Sequence, residues 1–414
     1  MHKFELAIEI LDVILEQNIP FNLATKNVLD KYSIPQDERT HVVGVVGCEL
    51  RHHLLFDAIV KDEIALEEGV SKSSILLLLA NYHFYNKFDN EEAIAITARA
   101  TNLDTKFLKE FLDKHNDKNG LIPARYEKGS FEYLSLRYNC PVWLVKMLNK
   151  HFGRGIAFKI LQINTRPLVQ TFALNGVEQG EILTDPNYTN APVEGMVTYI
   201  GKGGAKNNKF FKEKKIIPEK MAFKATLDSI NVKPMSNIAF FSGYSNTTYL
   251  DLALRLKEGS HIDIITPEIS LTNEVKRHVN IYGLKNASIY EEKAANMLAV
   301  VSNKVDYFFL LARNSNLELL RTNADYFLQF NRDSLDGLMN EQRYSLDEAA
   351  SLVNDGGELI YMIPTLNKKE SKQIIAEFLL IHPEFSLLDE RQHFPFEDYN
   401  STLYVARMLK TNKK

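Results

Sequence analysis

A histidine pair, an aspartate pair, two thiols and one lysine-rich loop are the places in this chain where residue type and spacing could do chemistry. His52 and His53 follow Arg51 in ELRHHLLF with no acid or cysteine at metal spacing, so a packed or surface pair is expected and no metal. Asp333 and Asp336 in RDSLDG read as helix-start residues rather than a carboxylate dyad. Cys48 and Cys140 are the only cysteines, which excludes a disulfide scaffold and a cysteine-rich zinc site and suits a reducing cytoplasm. The GKGG run at 201–204 lacks the G-K-S/T of a phosphate loop and reads as a flexible turn. Residues 202–220 hold Lys202, Lys206, Lys209, Lys212, Lys214, Lys215 and Lys220 against Glu213 and Glu219, a local charge of +5. Such a run is either a solvated loop or an electrostatic footprint for RNA phosphates, with Phe210 and Phe211 available to stack on bases.

The elements that must position these residues change character along the chain. Residues 1–150 read as helices throughout: AIEILDVILEQ, FNLATKNVLDKY, ERTHVVGVVGCELRHHLLFDAIV, SSILLLLANYHFYNK, NEEAIAITARA and DTKFLKEFLDKHN repeat apolar residues at helical spacing. An all-α bundle follows, with starts at Ser71-Lys-Ser-Ser and Asp89. From Leu168 the short alternating runs VQTFALN, GEILT and GMVTYIG predict a small β-containing module over 151–221 that carries the lysine-rich loop. From residue 222 strands and helices alternate. NIAFFSG, HIDIITPE, ASIYEE, VDYFFLLA and GELIYMIP predict a mostly parallel sheet covered on both faces, with Asp355-Gly356-Gly357 stopping a helix and two final strands near the C-terminus. The net charge of −4 gives no global sign of nucleic-acid binding, so the lysine cluster must carry any such claim. The start MHKFELAIEI lacks a signal-peptide core, and Ile75–Ala80 is too short to span a bilayer; a cytoplasmic protein without membrane contact is expected.

Three segments resemble the RsmB/Sun group of ribosomal-RNA 5-methylcytosine methyltransferases. LRYNCPVWLVKMLNKHFG is similar to the family's R-Y-S-x-P-x-W-L-V segment, and INTRPLVQTFALN to its N-x-R-P-P-x-x-L-R-V-N segment. GGELIYMIPTLNKKESKQIIAEFLLIHPEFSLL resembles its G-G-x-L-V-Y-x-T-C-S-x-x-x-x-E-N-E stretch with the F-L-x-x-H-P-x-F that follows. The resemblance implies a NusB-like RNA-binding bundle over 1–150, a small α+β module over 151–221 and a Rossmann-type methyltransferase sheet over 222–414. It also implies RNA, ribosomal by the family's habit, as the partner.

The departures from the family bear on activity. These enzymes add a cysteine thiolate to the cytosine ring to activate carbon 5, and a second cysteine assists release. Asn314 in LLARNSN stands where the first cysteine of D-A-P-C-S-G would be, Pro364 in MIPTL where the nucleophilic cysteine of T-C-S would be, and Leu311 in place of the loop's aspartate. The cofactor turn D-L-C-A-A-P-G-G-K-T has its counterpart in IAFFSGYSNTT, where Gly243 alone remains and Ile238 replaces the leading aspartate. The acid that grips the ribose aligns with Thr266, with Glu268 two residues on. No N/D-P-P-Y tetrapeptide follows VDYFFLLA, so amino-group methylation has no support.

The expectation is therefore an RNA-binding protein without methyl-transfer activity and without a bound cofactor. Its RNA contacts would come from Lys206, Lys209, Lys212, Lys214 and Lys215, and from Arg137, Tyr138 and Arg166, for which interdomain hydrogen bonding is the structural alternative. The alternative is an active S-adenosylmethionine-dependent RNA methyltransferase that uses Ser242, Gly243, Ser245, Thr266 and Glu268 as atypical cofactor contacts. Trp143 is expected to be a core anchor at the end of the bundle.

Overall fold

The structure is a computed structural model that describes residues 2–411 except 37, 68–69, 118–119, 167, 302, 332 and 398–399. Pro167, in the INTRPLVQTFALN segment, and the pair Asp398–Tyr399 lie outside the described residues. The chain divides into two compact units, Met1–Arg166 with Leu319–Phe330, and Pro167–Glu318 with Asn331–Lys414.

The first unit is helical. Its helices are α1 (Lys3–Gln17), α2 (Phe21–Lys31), α3 (Arg39–Leu50), α4 (His53–Glu63), α5 (Ser73–Ala80), α6 (Asn90–Thr101), α7 (Thr105–Lys114), α8 (Phe131–Tyr138) and α9 (Val142–Asn164). The SSILLLLA segment is apolar all round, and all eight residues of α5 are buried, as a helix without a polar face requires. α1, α3, α4 and α6 pack around it through Ile10, Val46, Phe56 and Ile94. Asp89 caps α6 by accepting from the Glu92 amide at 3.0 Å.

The single helix expected over ERTHVVGVVGCELRHHLLFDAIV is two, interrupted at Arg51-His52. Asn139 explains the break. Its side chain donates to the Leu50 carbonyl at 2.7 Å and accepts from the Leu54 amide at 3.0 Å, satisfying the end of α3 and the start of α4 together. No local pattern announces a partner 85 residues away. α2 is also capped from a distance, because its leading Pro20 has no capping side chain. The buried Asp325, on the returning segment 319–330 with its short helix α15 (Tyr326–Gln329), accepts from the Phe21 amide at 2.8 Å. Trp143 stacks on Phe330 of the same segment, ring centroids 5.1 Å apart. Within α9, Gly153 sits at φ 79°, ψ 163° and kinks the helix, a backbone state that glycine reaches without the strain a side chain brings.

The second unit holds two sheets. The small sheet contains β1 (Gln170–Leu174), β2 (Tyr188–Asn190), β3 (Met196–Tyr199) and β4 (Ile216–Pro218) in the order β2-β3-β1-β4, all pairs antiparallel. The GEILT run, expected as strand-like, belongs instead to the short helix α10 (Gln179–Ile182), where tertiary packing of Ile182 overrides the alternation. The lysine-rich segment is structured in part: α11 (Lys209–Lys212) and β4 lie within it.

The large sheet contains β5 (Asn237–Ser242), β6 (His261–Thr266), β7 (Ala287–Glu291), β8 (Val305–Leu311), β9 (Val353–Ile363), β10 (Phe385–His393) and β11 (Leu403–Lys410). Their order is β10-β11-β9-β8-β5-β6-β7, parallel except for β11, which is antiparallel to both neighbours. This mostly parallel sheet is consistent with the Rossmann-like methyltransferase fold. Its strands are apolar on both sides because both sides are covered. Phe241, Phe308, Leu310 and Tyr361 face α16 (Ser334–Leu352) and α17 (Lys372–Ile381). Phe240, Ile264, Phe309 and Ile360 face α12 (Met221–Asp228), α13 (Thr248–Arg255) and α14 (Ile269–Tyr282). The helix stop expected at Asp355-Gly356-Gly357 falls earlier: α16 ends at Leu352 and β9 begins at Val353, because the strand pairs Val353 with Val305 before the glycines are reached.

Asn139→Ala is expected to lower the stability of the helical unit by about 1–3 kcal/mol, leaving one carbonyl and one amide without their partner. Urea unfolding followed by circular dichroism would measure it; an unchanged midpoint would show that the α3–α4 break does not depend on this side chain.

Candidate functional site

Register places the site. β5 pairs Ser242 with Leu311 of β8, β6 pairs Thr266 with Glu291 of β7, and β8 pairs Leu311 with Met362 of β9. The carboxyl ends of the central strands therefore lie side by side. The chain runs from β5 outward through β6 and β7, then returns to the other side of β5 with β8. The boundary between β5 and β8 is the switch point at which doubly wound sheets form their ligand crevice.

Two loops leave that edge, 312–316 after β8 and 364–371 after β9, and one buried side chain joins them. The Glu370 carboxyl accepts from the Ser315 amide at 2.8 Å and the Ser315 hydroxyl at 2.6 Å. It accepts also from the Thr365 hydroxyl at 3.2 Å, the Asn367 amide group at 3.1 Å and the Gln342 amide group at 3.3 Å. Gln342, from α16, donates in addition to the Arg313 carbonyl at 2.8 Å. The buried Tyr361 hydroxyl, at the end of β9, donates to the Glu370 carbonyl at 2.9 Å. Glu370 is fully buried with donors on both carboxyl oxygens, the arrangement a buried acid requires. Residue type and spacing did not single it out. The signal was nevertheless present, since Glu370 occupies the first glutamate of the E-N-E run in the quoted family stretch.

Asn314 and Pro364 are both buried at these loops. Asn314 accepts from the Asn316 amide at 2.7 Å and donates to the Ala312 carbonyl at 3.3 Å, so its side chain closes the loop on itself. Asn316 stands at φ 53°, in the left-handed region that asparagine tolerates better than most residues. Pro364 lies between the end of β9 and a turn in which Thr365 accepts from the Asn367 amide at 3.1 Å. Neither position offers a thiol. Cys48 and Cys140 belong to the helical unit, where burial pushes the Cys48 thiol up to about 11 and complete burial raises that of Cys140.

The five residues weighed as cofactor contacts are engaged within the protein. The Ser242 hydroxyl accepts from the Asn246 amide group at 2.6 Å and donates to the Tyr244 carbonyl at 3.2 Å. Ser245 donates to Glu274 at 2.9 Å. The Thr266 hydroxyl is buried and 2.6 Å from that of Thr272. Glu268 is exposed at the start of α14 and accepts from Ser270 at 2.7 Å. Gly243 is required by close approach. A Cβ there would meet the Arg313 nitrogen and the Leu311 oxygen, each at 2.7 Å, and the Gly243 amide already donates to that oxygen at 2.9 Å.

The RNA candidates fall in both units. In the helical unit Arg137 lies over the Tyr138 ring, 5.9 Å from its centroid, while Tyr138 packs edge-on against Phe158. The Arg166 carbonyl at the end of that unit accepts from Arg321 at 3.1 Å. In the second unit Lys206, Lys209 and Lys212 are exposed and make no ion pair among the described residues. Lys214 donates to the Ile281 carbonyl, and Lys215 pairs with Glu181 at 2.7 Å and Glu213 at 3.2 Å. Phe210 is not available for stacking: it is 1% exposed and fills the small module's core against Tyr188. Phe211 is half-buried. His53 bonds to the buried Glu49 one turn back at 2.7 Å, and His52 stacks on Phe84, so the pair is packed. No group of three or more His, Cys, Asp or Glu could hold a metal ion among the described residues, and no helix among them is long and apolar enough to cross a membrane.

Glu370→Ala is expected to cost about 3 kcal/mol or more, because it strands at least four buried donors across two loops. Glu370→Gln should cost about 1–3 kcal/mol, since an amide nitrogen then faces donors. Thermal unfolding of both variants measures this, and two near-neutral substitutions would remove Glu370 as the tie between the loops.

No family model matches the chain. It is 22% identical over 405 residues, covering 92% of this chain and 89% of the relative, to the probable ribosomal RNA small subunit methyltransferase B of Bacillus subtilis (strain 168). In fold it matches the crystal structure of PH0851 with a TM-score of 0.75 at 17% identity over 99% of each chain. It also matches a methyltransferase homolog protein from Pyrococcus horikoshii, with a TM-score of 0.58 at 14% identity over 68% of this chain and 99% of that one. Over most of its length the chain is thus similar in sequence to a protein named as a ribosomal RNA methyltransferase, in keeping with the resemblance to the RsmB/Sun group.

Proposed function

We propose that this chain is an RNA-binding relative of the ribosomal-RNA cytosine-5 methyltransferases that does not itself transfer a methyl group. The observation that carries the reading is the state of the two loops at the carboxyl end of β8 and β9. Asn314 and Pro364 occupy the positions of the family's two cysteines, and both are packed into loops tied by Glu370. The chemistry needs a thiolate. The two thiols present are held in their neutral form by burial in the helical unit.

The turn after β5 supports the same reading. A methyltransferase cofactor needs backbone free of side chains at that turn and an acid near the end of β6. Here Tyr244, Ser245 and Asn246 carry side chains, Asn246 bonds back to Ser242, and Thr266 offers a hydroxyl already engaged with Thr272. Glu268, exposed two residues beyond β6, is the acid nearest in sequence to that end and accepts from Ser270, so it is the side-chain-bearing turn that speaks against S-adenosylmethionine. The helical unit is read as a NusB-like RNA-binding bundle and the protein as cytoplasmic, with ribosomal RNA the partner that the Bacillus subtilis relative's name suggests. The competing reading, an active S-adenosylmethionine-dependent RNA methyltransferase, is favoured by that same whole-length similarity.

Calorimetric titration of S-adenosylmethionine into the full chain is expected to give no binding heat, and micromolar binding would favour the competing reading. RNA affinity is expected to fall with salt, and to fall further in a Lys206/Lys209/Lys212→Ala variant. Its log–log salt slope should be shallower by about 2, at roughly 0.7 for each single-strand phosphate that is no longer neutralised. Neutralising Lys214 and Lys215, both bonded within the protein, should change the slope less. Equal RNA binding by the triple variant across the salt series would remove the role given to the loop.

A further inference from the structure

Beside the turn after β5, the second unit has a cavity of about 390 Å³ between the small sheet and the starts of α12 and α13, lined in part by residues 244–248 and within the range of small-molecule sites. Its walls include Phe172, Phe211 and Phe223, and its polar lining includes Glu219, Tyr244 and Lys206. Two of these polar groups lack partners: Glu219 Oε2 and the Tyr244 hydroxyl are both buried with no hydrogen bond. Unpaired polar atoms of this kind are uncommon in native structures and call for an explanation.

Glu219 is also rigidly held. Its amide donates to the Thr171 carbonyl at 3.1 Å, and the Thr171 hydroxyl donates back to its carbonyl at 2.5 Å. Oε1 is taken by the Lys220 amide at 2.8 Å and the Thr248 hydroxyl at 3.3 Å, leaving Oε2 for another partner. Burial, and secondarily the nearby Asp251, push the Glu219 carboxyl up to about 8, against the opposing pull of Lys220, whose ammonium is already paired with Glu318. Near neutral pH Oε2 therefore carries a proton and can donate it to a ring nitrogen, while the Tyr244 hydroxyl can donate or accept beside it. Lys206, exposed and without an ion pair among the described residues, supplies positive charge on the same lining.

We infer that this cavity is a nucleotide-binding site, in which aromatic walls receive a base, Glu219 and Tyr244 read its polar edge, and Lys206 receives its phosphate. Aromatic stacking with hydrogen bonds to an extruded base edge is how proteins hold an unstacked nucleotide. The nucleotide could be free or belong to a bound RNA. The RNA source rests on the RNA-binding reading above, and the free nucleotide does not.

The test is calorimetric titration of the full chain with each of the four nucleoside 5′-monophosphates, and in parallel with a short single-stranded RNA. Binding of at least one monophosphate is expected, weakened about tenfold by Glu219→Ala and by Tyr244→Phe, with circular dichroism confirming that both variants fold, and retained by Glu219→Gln, whose amide nitrogen donates in place of the protonated Oε2. Affinity should also drop as pH rises through about 8, where Glu219 loses its proton, and this dependence should vanish in Glu219→Gln. RNA that binds more weakly to Glu219→Ala and Tyr244→Phe places an RNA nucleotide in the cavity. Monophosphate binding with no RNA binding keeps the site but removes the RNA-binding function. RNA binding indifferent to both substitutions, with no monophosphate bound at millimolar concentration, overturns the site and leaves the RNA-binding function standing.

Discussion

The Glu370 carboxyl is the constraint on which the carboxyl edge of the large sheet depends. An acid buried to zero exposure persists only if hydrogen bonds replace the water it lost, and Glu370 collects them from Ser315, Thr365, Asn367 and Gln342. The donors come from the loop after β8, the loop after β9 and helix α16. One side chain therefore sets the mutual placement of three segments that are far apart in sequence. Gly243 adds the second constraint, because β5 can approach the β8 loop closely only where no Cβ stands between them.

These constraints separate architecture from chemistry. The two loops are held in place by Glu370 and Ser315, with Asn316 adopting the left-handed backbone. Neither loop carries a thiol. Asn314 turns its side chain onto its own loop, and proline at 364 has neither a side-chain nucleophile nor an amide hydrogen. A fold can lose reactive groups without losing its core when separate residues provide the two functions. The small module's lysines differ in availability, because Lys214 and Lys215 are bonded within the protein while Lys206, Lys209 and Lys212 are exposed and make no ion pair among the described residues.

Most of the large sheet was legible in the sequence, since NIAFFSG, HIDIITPE, VDYFFLLA and GELIYMIP are apolar runs of strand length and each became a strand. That positions 314 and 364 carry no thiol is equally local, because it depends only on residue identity. Other features were not. The α3–α4 break depends on Asn139, the start of α2 on Asp325, and the burial of Phe210 on Tyr188 and Phe172 across the small sheet. In each case a local pattern had two outcomes, and a partner remote in the chain selected one.

By itself, then, the sequence determined the helical and doubly wound parts and the absence of thiols from the latter, because periodicity and residue identity are local properties. The tertiary structure decided which lysines are available, that Gly243 is demanded by packing, and that Glu219 and Tyr244, each with a buried unpaired oxygen, line one cavity. Burial and hydrogen-bond satisfaction are properties of surroundings, and those surroundings are assembled from segments that meet only when the chain folds.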